Sequence, residues 1–354
     1  MEIGNISSMR NTKVRDSNME LLRIVSMILV LVVHASFKSL NMPDVHDVAA
    51  QPVSSFLRFL SESMSIICVN VFILISGWFG IRPKLSRFCE FLFQAVFFGF
   101  IIYIIMLVSG NTGSWHKGDW IDLFTFRRGL WFVNAYVILY IFAPILNMFA
   151  ENATKRQLQV FLIAFFVFQT FWGVISSEPY YSGGYSPLSF MGLYLLARYA
   201  RLFPNKYTTL GKVSDMAIYF AIILMTAVMA FLLVKYTGGH AWMFFHFSSP
   251  LVILSSFYFF LFFTKLSFRS HVVNWIASSA FAAYLLHCDP LLFKPHYLDV
   301  IKAWSETYML PEFFLYVAGY IVLIFILAVL LDKIRIFVWT SLNWAVGKAK
   351  KEEL

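Results

Sequence analysis

Charge is scarce in this chain. Only 13% of its 354 residues are Asp, Glu, Lys or Arg, about half the share found in an average soluble domain. A water-soluble exterior cannot be built from so little, which excludes an ordinary soluble enzyme. Cysteine is equally sparse. Cys68, Cys89 and Cys288 are odd in number and scattered, so they fit neither a disulfide framework nor a metal-ligand spacing. No bound metal is expected, and the three read as small buried apolar side chains. Long polar segments are missing too: no loop exceeds about twenty residues, and there is no low-complexity linker and no internal repeat. A large soluble domain has no room.

What the chain has is apolar and aromatic surface. Hydrophobic residues make up 60% of it, with 40 Phe, 17 Tyr and 10 Trp. A membrane span needs roughly 20 mostly apolar residues, and ten stretches qualify: 19–38, 55–80, 88–109, 129–149, 156–175, 186–202, 213–235, 247–265, 272–293 and 312–333. The sixth is the shortest. The fold class read from this pattern is all-α, a polytopic membrane protein of about ten helices. A cytoplasmic segment (1–18) precedes the transmembrane domain (19–333), and a basic cytoplasmic tail (334–354) follows it.

The net charge of +9 would raise the question of nucleic acid in a soluble protein. Here the basic residues sit in short loops, where their usual office is orientation. With the N-terminus inside, inner segments hold nineteen Lys and Arg and outer segments seven, which puts both termini in the cytoplasm and leaves nucleic acid out as a partner. Arg10, Lys13 and Arg15 before an apolar run resemble a signal peptide. Arg23 and His34 interrupt that run, and no small-residue cleavage site follows, so it reads as a retained first helix.

Ionisable side chains inside spans cost about 2.5–3.5 kcal/mol each on insertion scales and ask for a reason. Arg23 and His34 lie eleven residues apart, three turns plus about 20°, and so share one helix face. Their separation of about 16 Å along the axis puts Arg23 near the cytoplasmic surface and His34 in the outer half. The competing account has Arg23 snorkelling to lipid phosphates and His34 bonding a neighbouring helix. Arg58 and Glu62 open the second helix one turn apart and are expected to pair; Glu62 also sits at the depth of His34 and is suited to orienting it. Arg82, Lys84 and Arg87 follow Ser76 and Gly77 at the inner end, either setting topology or binding the phosphates of a soluble cofactor. Trp131 is an interfacial aromatic or lines a site. His287 ends the ninth helix near the level of His34. Trp115, Trp120, Tyr180, Tyr181, Tyr185 and Trp242 fall in or beside outer loops, as belt residues or sugar-stacking surfaces.

Four of these stretches, in order, resemble the acyltransferase-3 family of membrane proteins. They are Arg23 with His34 in LRIVS…VHA, Val71–Phe79 reading VFILISGWF, Leu130-Trp131-Phe132, and Ala283–His287 reading AYLLH. The family's Arg-x-x-Arg after the SG element stands here as Lys84-Leu85-Ser86-Arg87, a Lys supplying charge without the bidentate fork. The resemblance implies a bacterial cytoplasmic-membrane O-acyltransferase. Such an enzyme moves an acyl group, usually acetyl, from cytoplasmic acyl-CoA to a hydroxyl of a glycan or lipid-linked sugar outside. Acetyl-CoA is then a co-substrate, with no permanently bound cofactor, and membrane lipids surround the protein. On this reading Arg23, Ser76, Gly77, Lys84 and Arg87 face the CoA side, while the catalytic candidates are His34, acting on the acceptor hydroxyl, Arg23 and His287. Trp131, Asn134 and Glu62 meet the substrate, Asn70, Asn134 and Trp131 being candidate oxyanion donors. Direct transfer and an acyl-histidine intermediate are both open. A transporter or flippase for a glycan or small solute is the alternative suggested by ten spans with buried polar groups.

Overall fold

A computed structural model describes residues 16–110, 117–125, 129–176 and 182–352. Arg10, Lys13, Arg15, Trp115, Arg127, Arg128, Tyr180 and Tyr181 lie outside the described residues. Sixteen α-helices are present and, among the described residues, no strand: α1 Ser17–Val33, α2 Val45–Ala50, α3 Pro52–Ser65, α4 Cys68–Phe79, α5 Leu85–Val108, α6 Lys117–Phe124, α7 Trp131–Asn152, α8 Lys155–Thr170, α9 Pro187–Leu202, α10 Lys212–Thr237, α11 Pro250–Thr264, α12 His271–Ala277, α13 Ala282–His287, α14 Pro290–Phe293, α15 Asp299–Thr307 and α16 Leu310–Glu352. Proline opens α3, α9, α11 and α14, where its missing N–H costs nothing and its fixed φ suits the first turn. Thr154 and Gln157 close a capping box at the start of α8, satisfying two otherwise orphaned groups.

Seven helical segments are long and apolar enough to cross a membrane: 17–38, 52–79, 85–108, 131–152, 155–175, 212–237 and 310–345. The bent pair His271–His287 and Pro290–Thr307 makes an eighth if taken as one span. The other two expected stretches are helical but short, α9 with 16 residues and α11 with 15. Each of the ten apolar stretches therefore has a helix, and seven meet the length criterion alone. α16 runs 43 residues, about 65 Å, so its basic C-terminal part continues as helix past any one hydrocarbon layer of about 30 Å.

The outer surface is apolar, as lipid demands: Ile141, Ile145, Ile163, Val167, Leu224 and Leu323 are all exposed. Polar side chains are turned inward, Ser26, Glu62, Asn70, His287 and Asp332 being buried. This is a multi-pass membrane protein with its polar groups in the bundle interior. α1 and α4 run through the middle, α1 against α4 and α12, α4 against α9, and α10 against α3 and α11.

Two expectations need correction. The ninth helix is broken into a bent pair, and the second carries a turn within its single span, 52–79. Ile66 and Ile67 interrupt α3 and α4, turns separate α12 from α13, and the chain bends by 73° between α13 and α14. The segment after Lys294, expected as loop, is largely helical. Interrupted backbone at membrane depth is tolerated where it is buried in protein or lines a cavity, and the break at Cys288 does the latter.

Gly77 has a packing reason to be glycine. A Cβ there would lie 2.4 Å from the Tyr194 carbonyl oxygen and 3.0 Å from the Ala197 Cβ, so α4 and α9 meet backbone to backbone. Gly77→Val is expected to destabilise by about 1–3 kcal/mol or more, since α9 must move away as a unit. A thermal-denaturation midpoint in detergent reads this out; a midpoint equal to wild type would contradict the close packing.

Candidate active site

The first helix reaches His34 in regular geometry, then changes. A π-turn spans His34–Lys38, and Ser36 leaves helical space at φ −86°, ψ −114°. Ser39 Oγ donates to the freed His34 carbonyl at 2.8 Å. Such single widened turns interrupt helices most often at functional sites, and here the widening falls beside the break between α13 and α14. His34 and His287, 253 residues apart, are brought together: His34 Nδ1 lies 2.8 Å from His287 Nε2. The Phe293 ring meets His34 edge-on at 5.1 Å and holds its plane.

Proton positions follow from the partners. His287 Nδ1 is 2.5 Å from the Ala283 carbonyl oxygen, which can only accept, so Nδ1 carries a proton. With one proton per ring, His287 Nε2 is then an acceptor and His34 Nδ1–H donates to it. The lone pair of His34 is left on Nε2. His34 lines a cavity of about 840 Å³, whereas His287 is buried behind it. The arrangement is a base facing a cavity, oriented by a second imidazole that a backbone carbonyl orients in turn.

Around the cavity, Trp131 stacks on Phe247 (centroids 5.9 Å, planes 27° apart), and Tyr185 closes against both at 4.5 and 4.8 Å. Asn70 Nδ2 donates to the Phe247 carbonyl at 2.9 Å and fixes that wall. Gly129, at φ +67°, turns the chain into α7 with its Cα face toward the Cys288 carbonyl. Glu62 also lines the cavity; its Oε2 accepts the Phe37 N–H at 3.3 Å. It does not pair with Arg58, whose guanidinium instead donates to the Leu40 and Asn41 carbonyls and approaches Asp47 at 3.7 Å. Asn41 stands at φ +62°, and Arg58 braces that left-handed turn. Exposed Lys38, Asn41 and Lys294 line one end. His246 also lines the cavity; its Nδ1 is buried without a hydrogen-bond partner, and burial lowers the imidazole's pKa below its ordinary value.

The other expected residues gather elsewhere. Ser76 Oγ lies 3.2 Å from Tyr136 Oη, and Tyr136 stacks on Phe132, which lines the cavity. Arg23, half-buried, forms an ion pair with Glu20 at 2.5 Å. Lys84 and Arg87 are exposed. Their turn is rigidly held: Tyr140 Oη accepts the Lys84 N–H at 2.8 Å, Tyr194 Oη accepts the Ile81 N–H at 2.8 Å, and Asn147 Nδ2 donates to the Ile81 carbonyl. Arg201 joins this group, its guanidinium over Trp78 at 5.4 Å and Phe79 at 5.6 Å, with Nη1 donating to the Trp78 carbonyl. Arg201 is one of the nineteen basic residues that the charge pattern places inside and no more than that; the SG-aromatic element is the signal that points to its partners. Asn134 and Gly77 are not among the cavity-lining residues.

Cys288 is the residue that spacing rules missed. Its Sγ lies 3.4 Å from His287 Nε2 and 3.8 Å from His34 Nδ1, and it lines the cavity. The ligand atoms of His34, His287 and Cys288 fall within 4.8 Å of one another, a donor set that suits a soft metal. The imidazole–imidazole hydrogen bond occupies the ring nitrogens such an ion would need.

A family model described as an acyltransferase domain, that of the acyltransferase-3 family, matches residues 16–333. The chain belongs to the acyltransferase-3 family. No curated protein and no solved structure matches it. Membership makes it a membrane acyltransferase acting between an acyl donor and an acceptor, and the match contains the imidazole pair, the aromatic wall and the Lys84–Arg87 turn.

Proposed function

We propose that this acyltransferase moves an acetyl group from cytoplasmic acetyl-CoA to a hydroxyl of an extracytoplasmic polysaccharide or lipid-linked glycan. We place it in a bacterial cytoplasmic membrane, crossing about ten times with both termini inside. One observation carries the reading: the unpartnered Nε2 lone pair of His34 on the cavity wall. A sugar hydroxyl is a poor nucleophile at neutral pH, and imidazole is the side chain best matched to take its proton as it attacks. His287 is a positioning residue that keeps the base on Nε2. The aromatic wall of Trp131, Tyr185 and Phe247 suits the apolar face of a sugar ring, and Glu62 suits its hydroxyls.

On the donor side, Lys84, Arg87 and Arg201 offer charge to the phosphates of CoA. The pantetheine arm would follow Ser76 and Tyr136 toward Phe132 and the cavity, with Arg23 near its path. The direct test is mass spectrometry of surface glycans from cells lacking the gene, with and without the protein restored. An increment of one acetyl group is expected only where the protein is present. With purified protein, replacing both Lys84 and Arg87 by Ala is expected to raise KM for acetyl-CoA about tenfold or more with kcat little changed, since charge-assisted hydrogen bonds contribute about 1.5–3 kcal/mol each. An unchanged KM would remove these residues from the donor site.

A further inference from the structure

We propose that Cys288 carries the acyl group between donor and acceptor as a thioester, an inference that rests on the acetyltransferase reading above. Three features converge on it. Cys288 stands where the membrane helix breaks, at the C-terminal cap of α13, so its side chain belongs to a cavity wall rather than to a helix–helix seam. Its Sγ is 3.4 Å from His287 Nε2, the ring nitrogen left as acceptor by the Ala283 carbonyl. Nucleophile, base and a third group orienting the base thus stand within hydrogen-bonding distance in succession, the arrangement that activates a thiol. His34 Nε2 remains available on the same cavity for the acceptor, so the two half-reactions use different bases.

In the first half-reaction the hydrogen bond from His34 Nδ1–H to His287 Nε2 opens, and the Cys288 sulfur attacks the carbonyl carbon of acetyl-CoA while the freed His287 Nε2 lone pair takes the thiol proton. A Cys288 S–C bond forms, the C–S bond to CoA breaks, and His287 returns that proton to the departing CoA sulfur. One thioester replaces another, with no oxidant or further reactant. In the second, the acceptor hydroxyl passes its proton to His34 Nε2 and its oxygen attacks the Cys288 thioester. The new C–O bond forms, the C–S bond breaks, and His34 Nδ1 gives its proton to the Cys288 sulfur, 3.8 Å away. Exchange with water in the cavity returns the ring to its first tautomer. Donor and acceptor then need only reach Cys288 in turn and never occupy the cavity together.

The test is to incubate the purified full-length protein with radiolabelled acetyl-CoA and no acceptor, denature it, and count the protein-bound label. Wild type is expected to retain label that neutral hydroxylamine releases. Cys288→Ala should fall to background, while Cys68→Ala and Cys89→Ala stay labelled. Cys288→Ser keeps the packing and supplies a hydroxyl, so any label it takes should resist neutral hydroxylamine; its elution in gel filtration checks folding. Label surviving in Cys288→Ala overturns the proposal, as does acceptor acetylation by wild type with no label trapped. Wild type that neither takes label nor acetylates glycans in cells overturns the donor reading itself, a result distinct from either.

Discussion

Replacing His34 with alanine is expected to abolish acyl transfer while leaving the protein folded in the membrane. A positioned general base contributes about 10²–10⁴-fold, and His34 Nε2 is the candidate base with an unengaged lone pair facing the cavity. The structural cost should be small, because His34 is only half-buried and one side already opens on that cavity. The loss of its Nδ1–H leaves His287 Nε2 with the Cys288 thiol as donor. His34→Asn sharpens the test. Its amide nitrogen takes the place of Nδ1 and can still donate to His287, but it cannot take a proton. Acyl transfer should be lost in both variants through a fall in kcat, measured on protein that elutes like wild type. Recovery of activity in the Asn variant would reduce His34 to a structural hydrogen-bonding group and remove the base from the mechanism.

How much of this was legible in the sequence depends on the range over which each feature is encoded. Composition and apolar run length disclosed an all-helical membrane protein, because lipid acts on every exposed residue and leaves a mark in each span. The facing of Arg23 and His34 followed from helical periodicity over α1, which stays regular to Val33. The widened turn at His34–Lys38 could not be read, since one extra residue in a turn changes no composition. Nor could the choice of partners for Arg58: Glu62 lies a turn away, but the carbonyls of Leu40 and Asn41 are folded onto it by the α2–α3 connection. The His34–His287 contact joins opposite ends of the chain. Cys288 looked inert for the same reason. Its reactivity depends on neighbours 254 residues away in one case and adjacent but structurally unresolved by spacing in the other.

Asp332→Ala is expected to destabilise the protein by about 3–5 kcal/mol, the usual cost of leaving a buried charge without its partner. Asp332 is fully buried, and Arg335 is 3% exposed. Arg335 Nε and Nη2 donate to the two oxygens of Asp332 at 2.9 and 3.0 Å, and Gln94 Nε2 donates to Asp332 Oδ1 at 2.8 Å. Glu90 also reaches Arg335, at 3.2 Å, but its side chain is 46% exposed and solvent screening leaves it little to contribute. Asp332 is therefore the group that neutralises the guanidinium and joins α5 to α16. Because α13 packs against both of those helices, loosening their junction should also displace His287 and lower acyl transfer at temperatures where the fold survives. Replacing Asp332 and Arg335 together with Leu removes the charge along with its partner. That double variant should cost less than Asp332→Ala alone, since the penalty lies in the unpaired guanidinium and not in the loss of attraction. Thermal midpoints of detergent-solubilised protein decide the order. A double variant less stable than the single one would mean that the pair contributes net attraction inside the bundle, and that α16 is held by charge more than by packing.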